Sequence, residues 1–162
     1  CSKKKRGVMR IVLYQPDIPQ NCGAILRLGS CLQVPVDIVE PCGFQLDDRR
    51  LRRAGLDYLT SADYRRHENW KSYFAQRKGR LILLTTKAVQ PYYHFPFQAD
   101  DNLLFGRESA GVPGDIHQMA DARLVIPLAA DRRSINVAQA AAMVLGEALR
   151  QLGRFPERSG PA

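Results

Sequence analysis

Two stretches in the C-terminal half hold the residues whose types and spacing suggest chemistry. The first is LFGRESAGVP, which ends at Pro113, and the second is IPLAADRRSINVAQAAA, which runs from Ile126 to Ala142. A short apolar run stands at the start of each stretch, Asn102–Phe105 for the first and Leu124–Ile126 for the second, and predicts a buried strand. Each run continues into a loop of Gly, Ser, Pro and charged residues. Because α/β proteins bind ligands in loops at strand ends, we expect both loops to build one pocket.

The elements that must position these loops are strands and helices that alternate along the chain. Strands are predicted at residues 10–14, 34–40, 80–86, 102–105 and 124–126, and helices at 21–32, 47–55, 67–77 and 136–152. Asn21 and Asn136 are the predicted N-caps of their helices, and Gly153 is the predicted stop of the last one. Apolar strands alternating with helices are typical of an α/β fold with a mostly parallel sheet covered on both faces.

Length and composition limit the possible domain organisation and class of the protein. The 162 residues, 45% hydrophobic, predict a single domain at 9–155 between a basic extension at 1–8 and a tail at 156–162. No apolar run reaches the roughly 20 residues that span a bilayer, and no secretory signal opens the chain, so we expect a cytoplasmic protein without a membrane partner. Reduced thiols and no metal site are expected, because neither CxxC pairs nor histidines at metal spacing accompany Cys1, Cys22, Cys31 and Cys42.

The formal net charge of +8 is unevenly distributed. Lys3–Arg6 and Arg65–Arg66 are basic, and a denser cluster consists of Arg49, Arg50, Arg52 and Arg53. Arginine suits bidentate phosphate contact, and binding through such charges depends on salt. A solvated basic face remains the alternative interpretation, but the density of this cluster favours contact with phosphate groups.

Several familiar chemistries lack their residues. The loop after the first strand is QPDIPQNCG, which is neither the GxGxxG of a dinucleotide site nor a P-loop. The stretch RESAG has Arg107 where a serine-hydrolase elbow needs its first glycine. His67, His94 and His117 match no zinc or triad spacing. Redox, hydrolytic and metal chemistries are therefore disfavoured.

Three motifs in order carry a resemblance to a known family. They are NxGxxxR from Asn21 to Arg27, LFGxExxGxP from Leu104 to Pro113, and IPxxxxxxSxNV from Ile126 to Val137. This set resembles the three motifs of the SPOUT RNA methyltransferases. The segments IVLYQPDIPQNCGAILRL, EPCGF, DDRRLRRAGLDY and LTTK are further similar to the tRNA ribose methyltransferases that act on the wobble nucleotide. The resemblance covers roughly residues 9–153.

The resemblance implies a fold and a reaction. In that family the C-terminal part of the mostly parallel sheet is tied into a deep trefoil knot, although general topology rules disfavour knots. The knot loops bind S-adenosylmethionine, and the protein acts as a homodimer with its active sites at the interface. The implied activity is methyl transfer to the ribose 2′-hydroxyl of the wobble cytidine or uridine, in the anticodon stem-loop of tRNA.

Residue roles follow from the same resemblance. The cofactor positions are Leu84, Gly106, Gly111, Ile126 and Ser134, and the catalytic group is Arg27, Asn21, Glu108, Ser134 and Asn136. Arginine stays protonated, so electrostatic activation of the hydroxyl fits it better than a general-base role. Purely structural roles remain open: an ion pair with a knot-loop carboxylate for Arg27, helix capping for Asn21, Ser134 and Asn136, and bonding of the loop backbone or an arginine for Glu108.

Two other functions remain to be separated from tRNA methylation. One is a non-catalytic RNA-binding module, which the intact motif residues disfavour. The other is a ribosomal RNA methyltransferase, which is disfavoured because no additional RNA-binding domain is recognised beside the core. The chain departs from the subfamily pattern at Cys22, Arg107, Ser109 and Arg132. None of these is a motif residue, but Arg107 and Arg132 add positive charge near the predicted pocket.

Overall fold

The structure is a computed structural model that describes residues 7–53, 56 and 63–158. Its strands are β1 (Arg10–Tyr14), β2 (Val36–Val39), β3 (Tyr64–His67), β4 (Leu81–Leu84), β5 (Gln90–Pro91), β6 (Asn102–Phe105) and β7 (Ala122–Val125). Its helices are α1 (Pro19–Leu32), α2 (Asp48–Arg53), α3 (Trp70–Gln76), α4 (Gly114–Met119) and α5 (Val137–Leu152), with a 3₁₀ turn at Tyr92–His94.

The described strands form one sheet in the order β3-β2-β1-β6-β4-β7-β5. Every pairing in it is parallel, which confirms the predicted α/β class. Because all strands point the same way, their carboxyl ends meet at one edge, here called the C-terminal edge. This is the edge at which parallel sheets bind ligands. The knotted path of the C-terminal part stays a prediction.

Alternating side chains of the strands build two apolar layers. In β1, Ile11 and Leu13 pack into a core with residues of α1 and α5, whereas Val12 and Tyr14 pack with residues of α3 and α4. The period of two in a strand therefore accounts for burial on both faces. This arrangement confirms the predicted cover of helices on both sides of the sheet.

Both edge strands, β3 and β5, and one short helix, α4, were not predicted from the sequence. The helix predicted at 67–77 begins only at Trp70, after Asn69, whose side chain accepts a hydrogen bond of 2.8 Å from the backbone of Ser72. Strand β3 precedes it and carries two exposed arginines, which is how sheet edges avoid pairing with other chains. The six-residue α4 was not predicted. The predicted stop of α2 at Gly55 lies outside the described residues.

The predicted N-cap was wrong for one of the two long helices and correct for the other. The prediction of Asn21 as an N-cap was wrong, because α1 begins at Pro19 with Ile18 as its N-cap. Proline fits the first turn of a helix, where its missing N–H has no partner to lose. Asn136 is the N-cap of α5 as predicted, and Gly153 ends that helix with a left-handed φ of 62°.

Burial dominates the chemistry of the cysteines that the structure describes. Cys22, Cys31 and Cys42 are free thiols. Burial raises the pKa of the Cys22 thiol to about 12 and that of Cys42 to about 11, so both stay protonated near neutral pH. In the part of the chain covered by the structure, no helix is long and apolar enough to cross a membrane.

Candidate active site

A cavity of about 590 Å³ opens at the C-terminal edge of the sheet. It is lined by the loops that follow β1, β4, β6 and β7 and by the start of α5. The expectation of one pocket built from two motif loops is confirmed. All five predicted cofactor positions line it, namely Leu84, Gly106, Gly111, Ile126 and Ser134.

Three of those positions lie at the ends of neighbouring strands. Leu84 is the last residue of β4, Gly106 directly follows β6, and Ile126 directly follows β7. The sheet order β6-β4-β7 makes these three strands adjacent. Their backbone groups beyond the last ladder hydrogen bonds can therefore face one ligand from neighbouring positions.

The loop between Gly106 and Gly111 closes on itself. The backbone of Arg107 and that of Gly111 exchange hydrogen bonds of 3.0 and 2.7 Å. A Cβ at Gly106 would lie 2.5 Å from the carbonyl carbon of Gly111, and Gly111 has a left-handed φ of 67°. Glycine at 106 is thus required by the closure of the loop itself. At Gly111 the backbone conformation is the requirement.

A chain of side-chain hydrogen bonds joins the three motifs. The Nδ2 of Asn136 donates to Oδ1 of Asn21 at 2.8 Å, and the Nδ2 of Asn21 donates to Oε1 of Glu108 at 3.4 Å. Oδ1 of Asn136 accepts from the backbone of Ala138 and Gln139, which caps α5 and fixes the orientation of the amide. Asn21, Glu108 and Asn136 line the cavity, and they come from the first, second and third motif respectively.

Glu108 also contacts an acidic residue that the sequence analysis did not select. The backbone N–H of Asp17 donates to Oε2 of Glu108 at 3.1 Å. Burial, and then the neighbouring Asp17 carboxyl, raise the pKa of Glu108, whereas hydrogen bonds from Glu108 and Ser109 lower the pKa of Asp17. Arg107 lies 3.8 Å from Asp17 through its Nε. The position of Asp17 in the loop after β1 is the signal that could have identified it.

Arg27 is not brought into the cavity. It is exposed on α1 and is absent from the cavity lining. The ion pair considered for it is not found, since among the described residues no carboxylate pairs with Arg27. Gly23, four residues before Arg27 on α1, faces Leu56: a Cβ there would lie 3.6 Å from Cδ1 of Leu56.

Ser134 lines the cavity, but it does not cap a helix. It lies two residues before the N-cap of α5, and that cap is made by Asn136. Its side chain is exposed and forms no hydrogen bond within the described part of the protein. The hydroxyl is therefore available to a ligand. Of the structural alternatives, capping applies to Asn136 alone.

The basic helix α2 lies outside the cavity lining but follows a segment that packs against the site. Arg49, Arg50 and Arg53 are exposed, and the structure does not describe the side chain of Arg52. In the segment before α2, the backbone N–H of Gly43 donates to the carbonyl of Pro16 at 3.0 Å. This contact ties the segment to the loop that carries Asp17.

Other polar groups complete the cavity. Lys87, His117 and Arg133 line it, and Nε2 of His117 is buried without a hydrogen-bond partner. Within residues 7–53, 56 and 63–158, no group of three or more His, Cys, Asp or Glu side chains is arranged to hold a metal ion. The site can thus offer backbone groups, amides, one carboxylate and several cations to a ligand.

This arrangement occurs in a known family. The sequence model of the SpoU rRNA Methylase family matches residues 8–146, which include every residue of the cavity lining. The chain belongs to the SpoU rRNA methylase family. The resemblance to RNA methyltransferases that the three motifs indicated is confirmed.

Bacterial members similar to the chain over nearly their whole length are described as tRNA (cytidine(34)-2′-O)-methyltransferases. The protein from Beijerinckia indica is 58% identical over 146 residues, which are 88% of this chain and 91% of the relative. The protein from Escherichia coli strain K12 is 41% identical over 149 residues, which are 90% of this chain and 95% of the relative.

Solved structures support the fold of this SpoU family member. One that concerns the 2-OH methylation of C/U34 on tRNA has a TM-score of 0.83 and 35% identity, covering 93% of this chain and 94% of that one. The SpoU methyltransferase AviRb from Streptomyces viridochromogenes, in complex with AdoMet, has a TM-score of 0.79 over 93% of this chain. It is 22% identical and is covered over 62% of its length, so that likeness concerns the fold alone.

Proposed function

We propose that the protein is a tRNA (cytidine(34)-2′-O)-methyltransferase, which moves a methyl group from S-adenosylmethionine to the ribose 2′-hydroxyl of the wobble cytidine or uridine. The observation that carries the proposal is the hydrogen-bonded chain from Asn136 through Asn21 to Glu108. These hydrogen bonds bring three motifs that are distant in sequence to one cavity. The chain is also 58% identical to a protein described as a tRNA (cytidine(34)-2′-O)-methyltransferase.

The cavity fits the methyl donor. Its volume of about 590 Å³ lies within the range of small-molecule sites, about 300–1,000 Å³. Leu84, Gly106 and Ile126 would hold the cofactor through backbone groups, with the Gly111 loop and the free Ser134 hydroxyl beside it. When bound, S-adenosylmethionine supplies an electrophilic methyl group on a positively charged sulfur.

The protein then has to position and activate the hydroxyl. We assign Arg27 to the target ribose or its phosphate, where a fixed cation lowers the cost of a developing alkoxide. Glu108, held by Asn21 and by the backbone of Asp17, keeps the loop after β6 in position. Holding both reactants in line contributes several kcal/mol, on the order of 7–11 for a well-oriented pair.

A homodimer would bring Arg27 to the transfer site. The supporting observations are that Arg27 is exposed outside the cavity lining, and that α5 presents an outward face with Ala142, Met143 and Gly146. A Cβ at Gly146 would have no atom of the chain within 4 Å, so the glycine is not explained by packing inside the protomer. Two-fold dimers are the commonest oligomers, and small residues allow helices to approach closely.

The anticodon stem-loop of tRNA would lie along the basic cluster. Arg49, Arg50 and Arg53 are exposed on α2, whose leading segment packs against the loop that holds Asp17. Arg52 belongs to the same run of sequence. Arginine contacts to phosphates would position the RNA, and the cofactor would sit at the wobble ribose. This reaction belongs in the cytoplasm, with no membrane partner and no metal.

The test is transfer of a labelled methyl group from S-adenosylmethionine to purified total tRNA and, in parallel, to ribosomal RNA. We expect label in tRNA only, and nuclease mapping should find it on the ribose of nucleotide 34. Label in ribosomal RNA would support the ribosomal alternative. Binding of tRNA without any transfer, by protein that binds the donor, would support the non-catalytic module. Either result would contradict the proposal.

A further inference from the structure

A second cavity, of about 440 Å³, lies between the sheet and α3. It shares no residue with the cavity at the C-terminal edge. Its walls include residues that precede or begin strands, among them Val8, Arg10, Lys78 and Asn102, so it lies toward the opposite end of the strands. None of the residues assigned to methyl transfer lines it.

The charges that line this second cavity do not balance. Asp37 is already neutralised, because it accepts hydrogen bonds from the guanidinium of Arg10 and from Nε2 of His67, the latter at 2.7 Å. Arg65, Arg77 and Lys78 remain, and in the described part of the chain none of them forms an ion pair. Asp100 is the only other carboxylate in the lining. The lining therefore has an excess of positive charge.

Two buried donors in the lining also lack partners. Tyr73 is 1% exposed, and its hydroxyl has no hydrogen-bond partner among the described residues. The Nε of Arg77 is also buried with no partner in that part of the chain, while the guanidinium lies 4.0 Å from the centre of the Phe74 ring. Burial raises the pKa of the Tyr73 phenol, which keeps its proton available for donation. Buried donors are rarely left unpaired without a reason.

We propose that the second cavity binds a phosphate group through Arg65, Arg77, Lys78 and the hydroxyl of Tyr73. Arginine and lysine are the usual partners of phosphate, and a phenolic donor suits its oxygens. The volume of about 440 Å³ exceeds that of the ion alone, so the cavity has room for a phosphate carried by a larger molecule such as a nucleotide. Free nucleotides and the RNA backbone present the same chemistry.

The single tryptophan of the chain provides the signal for a direct test. Trp70 lies 5.3 Å from Tyr73 between ring centres, and it also contacts Phe74, on which Arg77 stacks. We expect titration with inorganic phosphate to change Trp70 fluorescence saturably, whereas sodium chloride of equal ionic strength does not. Line broadening of the phosphate signal in phosphorus NMR measures the same binding independently of the fluorophore.

Matched variants locate the site. Lys78→Gln and Tyr73→Phe, which keeps the ring, should each weaken phosphate binding by about tenfold or more, as expected for lost hydrogen bonds to a charged ligand. Lys71→Gln is the control, since Lys71 is an exposed residue of α3 outside the lining. Equal losses in Lys78→Gln and Lys71→Gln, or no saturable binding by either method, would overturn the proposal.

The source of the phosphate is decided by competition. If tRNA displaces inorganic phosphate, and Lys78→Gln lowers the salt dependence of tRNA binding, the ligand is the RNA backbone. If cytidine 5′-monophosphate binds more tightly than phosphate and tRNA does not compete, the ligand is a free nucleotide. Both results support the site. None of these measurements requires methyl transfer, so failure of the proposed function leaves this test intact.

Discussion

The molecule contains two polar clusters that are built in different ways. At the C-terminal edge, Asn21, Glu108 and Asn136 come from loops and helix starts, and they are joined by hydrogen bonds among amides and one carboxylate. On the α3 side of the sheet, Asp37 lies within a strand and is neutralised by Arg10 and His67. Each cluster lines a cavity, but the first consists of amides and one carboxylate whose hydrogen bonds link separate loops, whereas the second satisfies its central charge internally.

The difference separates groups that act on a ligand from groups that hold the sheet. A buried carboxylate that is paired with an arginine and hydrogen-bonded to a histidine is costly to disturb, because removal of the carboxylate leaves a charge and a buried polar group without partners. A chain of neutral amides costs less to alter but fixes the geometry of loops. We therefore expect changes at the C-terminal edge to affect methyl transfer, and changes at Asp37 to affect stability. The following experiments challenge that division, in order of decreasing effect.

Replacement of Arg27 gives the largest expected effect. Arg27→Ala should lower methyl transfer by about 100- to 1,000-fold, the usual loss when a fixed group that stabilises developing charge is removed. Donor affinity should stay within about threefold, measured by calorimetry, because Arg27 does not line the cavity. Arg27→Lys, which retains the charge, is the control. Unchanged transfer by Arg27→Ala would remove this residue from the mechanism.

Replacement of Asp37 should have the largest effect on the free energy of unfolding. Asp37→Ala leaves Arg10 without its counter-charge and His67 without its hydrogen-bond acceptor, and we expect the free energy of unfolding to fall by about 3 kcal/mol. Glu40→Ala is the matched control, because its pair with Arg66 is exposed and should contribute less than about 1 kcal/mol. Urea unfolding measures both. Equal losses would contradict the structural role, as would a slower transfer per folded Asp37→Ala molecule.

Charge removal on α2 tests the RNA side of the C-terminal edge. The double variant Arg49→Gln, Arg50→Gln should weaken tRNA binding and reduce the slope of log affinity against log salt by about 1–2, one step for each lost phosphate contact. Donor binding should not change. Arg158→Gln removes an exposed arginine near the C-terminus as a control. If the salt slope of the double variant equals that of the wild type, α2 is not an RNA contact.

The two roles of Asn136 can be separated. Asn136→Ala removes the cap of α5, and we expect a loss of about 1 kcal/mol in stability together with slower transfer. Asn136→Asp keeps a capping oxygen but loses the donor to Asn21, so transfer should slow while most of the stability returns. Thermal unfolding and single-turnover rates measure the two effects. Full activity of Asn136→Asp would mean that the bond to Asn21 is irrelevant to catalysis.

Replacement of Glu108 should have the smallest effect, which is a change in stability that depends on pH. A carboxyl whose pKa is raised on folding stabilises fully below its unfolded pKa, and that stability is lost as pH rises through the folded pKa. Glu108→Gln mimics the protonated form, so its stability relative to the wild type should increase as pH rises from acidic to neutral values. Because the side chain is partly exposed, the gain is small. If the stability of Glu108→Gln relative to the wild type instead increased toward acidic pH, the assignment of a raised pKa to Glu108 would be contradicted.

Much of the fold could be predicted from the sequence because its signals are local. Strands β1 and β6 were predicted to the residue, since each is a short apolar run bounded by polar residues. Strand β3 was missed because its two central arginines at an exposed edge lack an apolar pattern. An edge strand is specified by its neighbour in the sheet, and that information is not local.

Most of the residues that line the cavity could be predicted from the sequence, but their connections could not. The resemblance of the motifs to a known family identified the cofactor positions, whereas the place of Arg27 outside the lining and the contact of Asp17 with Glu108 were not predicted. The bond between Asn21 and Asn136 joins residues 115 positions apart, and no local pattern reports it. Asn21 itself was expected to cap α1 because asparagine favours that position. In the fold its amide instead links two motifs, and the start of α1 is left to Pro19.

The most direct test of the account is a crystal structure of the protein with S-adenosylhomocysteine, the product of the donor. The account predicts the ligand in the cavity at the C-terminal edge, in contact with the backbone of Leu84, Gly106 and Ile126. Ligand density at another location, or no main-chain contact within about 4 Å from any of these three strand ends, would contradict it.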